Sequence, residues 1–154
     1  MKQLLSVILF SCLLCMTIFD TQAQEMKAKK MEGHTWHQVV MVKFKPGTVD
    51  KAKNIIDNHF VKAGMEANVP GPTIMEFKTG EWDMMFVWKM NSINDMEWEI
   101  HPDDEKWWAA MVAQEGNEEK AMKVWQDYMN IIENSTTVLA TSRDPSRAET
   151  MGSN

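Results

Sequence analysis

The segment EWDMMFVWKM, residues 81–90, has the composition of a β-strand and is apolar on both faces. One face carries Trp82, Met84, Phe86, Trp88 and Met90, and the other includes Met85 and Val87. A strand with one solvent-exposed face alternates between apolar and polar residues, whereas a strand that is apolar on both faces is covered on both. This segment therefore predicts a sheet with two buried faces.

The segment HTWHQVVMVKFK, residues 34–45, shows the same property. Val40, Val42 and Phe44 lie on one face by alternation, and Val39 and Met41 lie on the other. The chain's own helices can cover one of these faces. Too little sequence remains for a second helical layer, so we expect the sheet of a second copy to cover the other. The burial pattern thus predicts a homodimer.

The rest of the chain alternates between helical and strand patterns. Apolar residues recur at helical spacing from Ala52 to Ala63, and TIMEFK is a short strand. Helical pieces follow at 92–100, 103–113 and 117–132, and STTVLATS is a closing strand. The elements follow the order strand, helix, strand, strand, helices, strand. This is the split βαβ order of a ferredoxin-like fold. We therefore predict an α+β domain with helices on one face of an antiparallel sheet.

The first 23 residues have the features of a cleaved signal peptide. A lysine precedes an apolar run, and Thr21-Gln22-Ala23 supplies a small-residue cleavage site. The mature chain would begin near Gln24 and be periplasmic or secreted; the alternative is a lipoprotein anchored at Cys12. The resulting plan is a signal peptide at 1–23, a linker at 24–33, a domain at 34–142 and a disordered tail at 143–154.

The composition excludes several classes of function. The formal net charge of −6 argues against a nucleic-acid partner. Both cysteines lie in the signal peptide, so the mature chain would have no disulfide and no cysteine metal site. His34 and His37 form an H-x-x-H, but a strand points them to opposite faces and no third ligand is near. We predict no metal, no cofactor and, after signal cleavage, no membrane partner.

Two segments resemble a known family. HQVVMVKFKPGT resembles the opening strand of the Dabb domains, the stress-responsive dimeric α/β-barrel proteins, and GEWDMMFVWKMNSINDMEWEIHP resembles their third strand and the helix that ends in His-Pro. The resemblance covers roughly residues 35–140, and about 103–116 look like a helical insertion. It implies a homodimeric α/β barrel with a pocket between sheet and helices. Some members bind or transform small apolar or aromatic molecules without a cofactor, and the wider superfamily includes the antibiotic-biosynthesis monooxygenases.

The resemblance also bears on individual residues. His37 matches the pocket histidine of the first strand, and His101 matches the histidine before proline. One member with assigned aldol-cyclisation chemistry uses a tyrosine and a histidine, and these positions carry Trp98 and Asp104 here. That cyclisation chemistry is therefore not transferred to this chain.

Three residues are candidates for acid–base catalysis. WEIHPDD reads as a helix start, because Pro102 suits the first helical position and carboxylates complement the helix dipole. Asp104 could still act as a base if burial raises its pKa. His37 is the best general acid–base candidate, with His101 or Asp104 as partner, since imidazole titrates near neutrality. The alternative is that His37 is a core histidine whose ring nitrogens are hydrogen-bonded within the protein.

The predicted ligand-binding residues are apolar strand residues and aromatic neighbours. They are Val39, Met41, His59, Trp82, Met84, Phe86, Trp88 and Trp98. His59 borders the apolar face of the first helix, so it either lines the pocket or lies at the edge of the hydrophobic core. The tryptophans are either pocket walls or plain core.

Three functions stay open at this point. The first is a cofactor-free enzyme or binder of a small apolar or aromatic molecule. The second is a carbohydrate-related accessory protein of the cell envelope, which requires solvent-facing Trp107 or Trp125. The third is a structural or stress dimer without a ligand.

Overall fold

The computed structural model describes residues 28–143, so the predicted signal peptide, both cysteines and the tail from 144 lie outside the described residues. Residues 28–33 have no regular structure. The elements that follow are β1 (His34–Phe44), α1 (Val49–Ile55), a π-helical turn (Ile56–Phe60), α2 (Val61–Glu66), β2 (Thr73–Glu76), β3 (Met84–Lys89), a 3-10 helix (Ile93–Glu97), α3 (Pro102–Glu115), α4 (Glu118–Met129) and β4 (Ile132–Arg143).

The four strands form one antiparallel sheet in the order β2-β3-β1-β4. This is the ferredoxin-like arrangement, and it confirms the predicted α+β class with helices on one face. Val39 is paired with Val87 on β3 and with Val138 on β4, so these three valines share one face of the sheet. The pairing of β1 with β4 shifts at the end of β1, where a bulge leaves Glu133 without an opposite residue.

The main hydrophobic core lies between the sheet and the helices. Val42 and Phe44 of β1 and Met84 and Phe86 of β3 supply its sheet side. The helical side is formed by Ala52, Ile55, Ile56 and Tyr128, with Ile131 directly before the last strand. Burial raises the pKa of Tyr128 to about 12. One face of the sheet is therefore sealed by the chain's own helices.

A second, smaller core lies within the helical layer. Ala63 of α2, Met111 of α3 and Ala121 of α4 are fully enclosed there. Helix α3 contacts α2 and α4 and thus packs on other helices. It occupies the segment 103–116 that looks like an insertion in the sequence.

The helix that the sequence predicts from Thr48 to Gly64 is interrupted by the π-helical turn. The N–H of Val61 donates to the carbonyl of Ile56, five residues back. The indole of Trp107 on α3 donates to the Phe60 carbonyl at 3.0 Å, and the amide of Gln114 reaches the His59 carbonyl at 3.5 Å. Side chains of α3 thus bind the backbone where the helix widens.

Among residues 28–143, no helix has the length and apolar character that a membrane span requires.

Candidate functional site

The sheet face turned away from the helices is the most distinctive surface of the domain. We call it the open face; it consists of the odd-numbered residues of β1, β2 and β3 and the even-numbered residues of β4 from Asn134 onward. Its apolar members are Val39, Met41, Met75, Met85, Val87, Val138 and Ala140. No helix of residues 28–143 packs on it, and Met75 and Val138 are 47% and 43% exposed.

The two faces of the sheet differ in the size of their apolar side chains. The aromatic residues within the strands are Trp36, Phe44, Phe86 and Trp88, and alternation places all four on the helical side. Phe86 and Trp88 stack there with ring centroids 5.9 Å apart. The open face instead carries valine, methionine, threonine and alanine. Its apolar side chains therefore include no aromatic ring.

One end of the open face holds a group of hydrogen-bonding side chains. Nε2 of His37 and Oγ of Ser142 share a hydrogen bond of 2.8 Å. Nδ1 of the same ring is enclosed and has no hydrogen-bond partner within the described part of the chain. Lys89 lies directly opposite His37 on β3. A histidine, a serine and a lysine are thus neighbours at this end of the face.

At the opposite end of the open face, the lysine has carboxylates around it. Lys43 there forms an ion pair with Glu133, the bulge residue of β4, at 2.6 Å. The pKa of Lys43 is raised, first by its hydrogen bond to Glu133 and then by the charge of that carboxylate.

The stretch WEIHPDD begins a helix. Nδ1 of His101 accepts a hydrogen bond from the Asp103 N–H at 3.2 Å and caps α3, with Pro102 at the first helical position. Asp104 is exposed in the first turn. This helix belongs to the layer on the covered side of the sheet, whereas His37 lies on the open face. The fold therefore does not bring His37 together with His101 or Asp104.

His59 is held in the helical layer by α3. Its Nδ1 bonds the Glu115 carboxylate at 2.6 Å, and the Gln114 amide donates to the same oxygen at 2.9 Å. The pKa of Glu115 is lowered chiefly by the hydrogen bond from His59 and next by that from Gln114. The pair ties the π-helical turn to the end of α3.

The other predicted ligand-binding residues lie apart from one another. Val39 and Met41 are on the open face, Met84 and Phe86 are buried in the main core, and Trp88 packs at the edge of that core. Trp82 precedes β3 and is half-buried. Trp98 is 57% exposed in a loop, where it borders an open cleft of about 370 Å³ with Asn94, Asp95 and Glu97.

The tryptophans of the last two helices are in contact with other rings. Trp107 and Trp125 have centroids 6.1 Å apart, and both pack on Phe60. Trp107 is half-buried, and Trp125 is 38% exposed while also contacting Tyr128. These rings serve as packing within the helical layer.

Sequence reasoning missed Ser142, Lys89 and Val138 as members of the site. Alternation in STTVLATS and EWDMMFVWKM assigns each of them to a strand face, but only the register between strands sets them beside His37 and Val39. Within residues 28–143 no three His, Cys, Asp or Glu side chains converge as metal ligands.

Comparison with protein-family models and with curated proteins finds no match to this sequence. Solved structures do resemble it. A NIPSNAP family protein with unknown function from Agrobacterium tumefaciens has a TM-score of 0.52 at 10% identity, and the match covers 77% of this chain and 98% of that one. A second NIPSNAP family protein from the same organism has a TM-score of 0.49 at 9% identity, covering 73% of this chain and 95% of that one. The first of these similarities, at such low identity, shows a shared α+β ferredoxin-like fold.

Proposed function

We propose that this chain is a homodimeric α/β-barrel protein, akin to the Dabb domains, that binds a small apolar or aromatic molecule between its two sheets without a cofactor. The observation that carries the proposal is the open face, which has apolar side chains on all four strands and carries no phenylalanine, tyrosine or tryptophan within them. His37 is the acid–base group of this site, because it alone of the predicted catalytic residues lies on the open face.

A second copy is the partner that fits the open face. An exposed apolar sheet face favours association, and a two-fold axis sets the same patch of two subunits against each other. Two such sheets give eight strands. A barrel of eight strands has an interior that side chains can fill or that can hold one small ligand. Valine, methionine, threonine and alanine fill less of it than aromatic residues would, which favours a ligand.

Neighbouring residues on β4 provide a matched test of the dimer. Val138 and Leu139 are 43% and 44% exposed but lie on opposite faces of the sheet. We expect the chain from Gln24 onward to sediment as a dimer and Val138→Asp to make it a monomer, whereas Leu139→Asp leaves it dimeric. A wild-type monomer at tens of micromolar, or equal effects of the two substitutions, would contradict the proposal.

Ligand binding is tested by thermal midpoints with phenolic, quinone and polyketide-like compounds. A compound that binds only the folded state raises the midpoint by mass action. We expect such a shift and expect His37→Ala to reduce it. No shift with any of these compounds would favour the structural dimer.

The second candidate function is carbohydrate binding, and Trp98 favours it. Its exposed indole beside the amide of Asn94 and the carboxylates of Asp95 and Glu97 has the chemistry that a sugar ring requires. A midpoint shift with oligosaccharides that is lost in Trp98→Ala, and not in His37→Ala, would support this function instead.

The predicted signal peptide supports export. Mass spectrometry of the protein from bacterial periplasm should give a first residue near Gln24. A lipid-modified Cys12 at the new terminus would support the lipoprotein alternative.

A further inference from the structure

We infer that the ligand of the open face is an amphipathic monocarboxylic acid, with its carboxylate at the end formed by His37, Lys89 and Ser142 and its apolar part along the face. This inference rests on the proposed function and adds the chemical class of the ligand.

The first argument is the difference in charge between the two ends of the open face. Lys43 at one end is neutralised by Glu133 at 2.6 Å. Lys89 at the other end has no ion-pair partner among residues 28–143. The strand residues that adjoin His37 on the open face include no acidic residue: they are Thr35 and Val39 on β1, Lys89 on β3, and Ala140 and Ser142 on β4. One end of an otherwise apolar face therefore has an uncompensated positive charge.

The second argument is the hydrogen-bonding capacity at this end. His37 uses Nε2 for Ser142, and its enclosed Nδ1 has no partner in the described part of the chain. When Nε2 donates to the Ser142 oxygen, the Ser142 hydroxyl can donate its own hydrogen to a ligand oxygen. The Lys89 ammonium adds a charge-assisted bond, which is stronger than a neutral one. A carboxylate oxygen accepts from both donors.

The third argument is the shape of the surface. His37 and Lys43 are six residues apart on β1, which is roughly 20 Å in a strand. Val39 and Met41 lie between the two ends, and their cross-strand neighbours are Val87, Met85 and Val138, with Thr136 as the one hydroxyl. A single lysine supplies one positive charge, which matches the single negative charge of a monocarboxylate, whereas bidentate recognition of phosphate favours arginine. The surface thus favours one carboxylate followed by an apolar chain or ring.

Decanoate and 1-decanol test the inference, because they share an apolar chain and differ in the charged head. We expect calorimetric titration of the chain from Gln24 onward to give decanoate about tenfold or higher affinity than 1-decanol. Lys89→Met, which keeps an apolar stem, should abolish this preference while 1-decanol still binds. Lys78→Met, at an exposed lysine beyond β2, should keep the preference.

The outcomes separate this inference from the proposed function. Equal affinity for decanoate and decanol overturns the carboxylate site and leaves the apolar binding face. A preference that survives in Lys89→Met also overturns it. Failure of both compounds to bind contradicts the proposed function itself. An unchanged thermal midpoint of Lys89→Met without ligand verifies that the variant is folded.

Discussion

Met84 and Met111 are the largest fully enclosed side chains of the described domain. Met84 lies in the main core and Met111 in the helical layer. Truncation of either side chain leaves a cavity that the surrounding residues fill only in part. We expect Met84→Ala to lower the free energy of unfolding by about 2–5 kcal/mol in urea titrations. Met65→Ala, at a side chain that is 75% exposed, is the control and should change it by roughly 0.5 kcal/mol or less.

The hydrogen bond between His59 and Glu115 makes stability depend on pH. The pKa of Glu115 in the folded chain is below its ordinary value of 4.5, first because of His59 and then because of Gln114. A carboxyl group with a lower pKa in the folded state stabilises that state above its unfolded pKa, and this contribution is lost as the pH falls through the folded pKa. Glu115→Gln should therefore lower the free energy of unfolding at pH 7 by about 1 kcal/mol.

Urea titrations from pH 7 to pH 3 check this expectation. The difference between wild type and Glu115→Gln should narrow below pH 4.5, where the wild-type carboxylate takes up its proton. Glu66→Gln at an exposed carboxylate is the control. A difference that stays constant over the whole range would show that the charge of Glu115 has no part in it.

His37 illustrates what the sequence could predict of the site. Alternation correctly placed it on the same face as Val39 and Met41. The family resemblance implied that this face bounds a pocket against the helices, but the helices cover Val42 and Phe44 instead. The sequence pattern could not decide between the faces, because both are apolar in β1 and β3.

The interrupted helix is the element that the spacing of apolar residues predicted least well. Ala52, Ile55, Ile56 and Ala63 are buried as the helical spacing predicts. The π-helical turn at Ile56–Phe60 leaves this apolar pattern almost unchanged, so the pattern cannot reveal it. Its long-range hydrogen bonds come from α3, through Trp107, Gln114 and Glu115. A turn that depends on side chains about fifty residues away cannot be predicted from local spacing.

The bond from Trp107 to the Phe60 carbonyl gives a prediction at the level of this element. Trp107→Phe keeps most of the ring but removes the N–H donor, so the free energy of unfolding should fall by about 1–2 kcal/mol. Trp108→Phe is the matched control, since Trp108 is also half-buried in α3 but makes no hydrogen bond through its indole in the described structure. Chemical denaturation of both variants makes the comparison. Equal losses would mean that ring size, and not the hydrogen bond, determines the effect.

Element boundaries were predicted with different success. β1 ends at Phe44, one residue before the predicted end, because Pro46-Gly47 forces a turn and Gly47 has φ +77°. β3 begins at Met84, later than the predicted Glu81, and Asp83 instead accepts a hydrogen bond from the Phe44 N–H with its carboxylate at 2.7 Å. β4 begins at Ile132, since pairing with β1 extends the strand into residues without an alternating pattern.

The order of elements along the chain was sufficient to predict the ferredoxin-like sheet with helices on one face. The second helical core was not predicted, because its fully buried members Ala63, Met111 and Ala121 are spread over three helices. Two of them are alanines, which a search for large apolar residues passes over. Their burial depends on close approach of the helices, which is a property of the complete domain.

A prediction for the whole molecule follows from the proposed dimer. If folding and association are coupled, the thermal midpoint rises with protein concentration. A hundredfold increase in concentration adds up to about 2.7 kcal/mol and raises the midpoint by several degrees in scanning calorimetry. Val138→Asp should remove the dependence, and Leu139→Asp should keep it. A wild-type midpoint that is constant with concentration would contradict a coupled dimer.

The separation of side chains by size has an optical consequence. The strand aromatics project towards the helices, and Phe60, Trp107, Trp125 and Tyr128 form a contiguous group of rings in the helical layer. Fixed rings in contact give strong near-ultraviolet circular dichroism that reports tertiary packing. This signal therefore reports the packing of the helical layer and does not respond to binding on the open face. A ligand without an aromatic ring, such as decanoate, that raises the thermal midpoint without altering the near-ultraviolet band would bind where the rings are absent, and one that alters the band would bind among the helices.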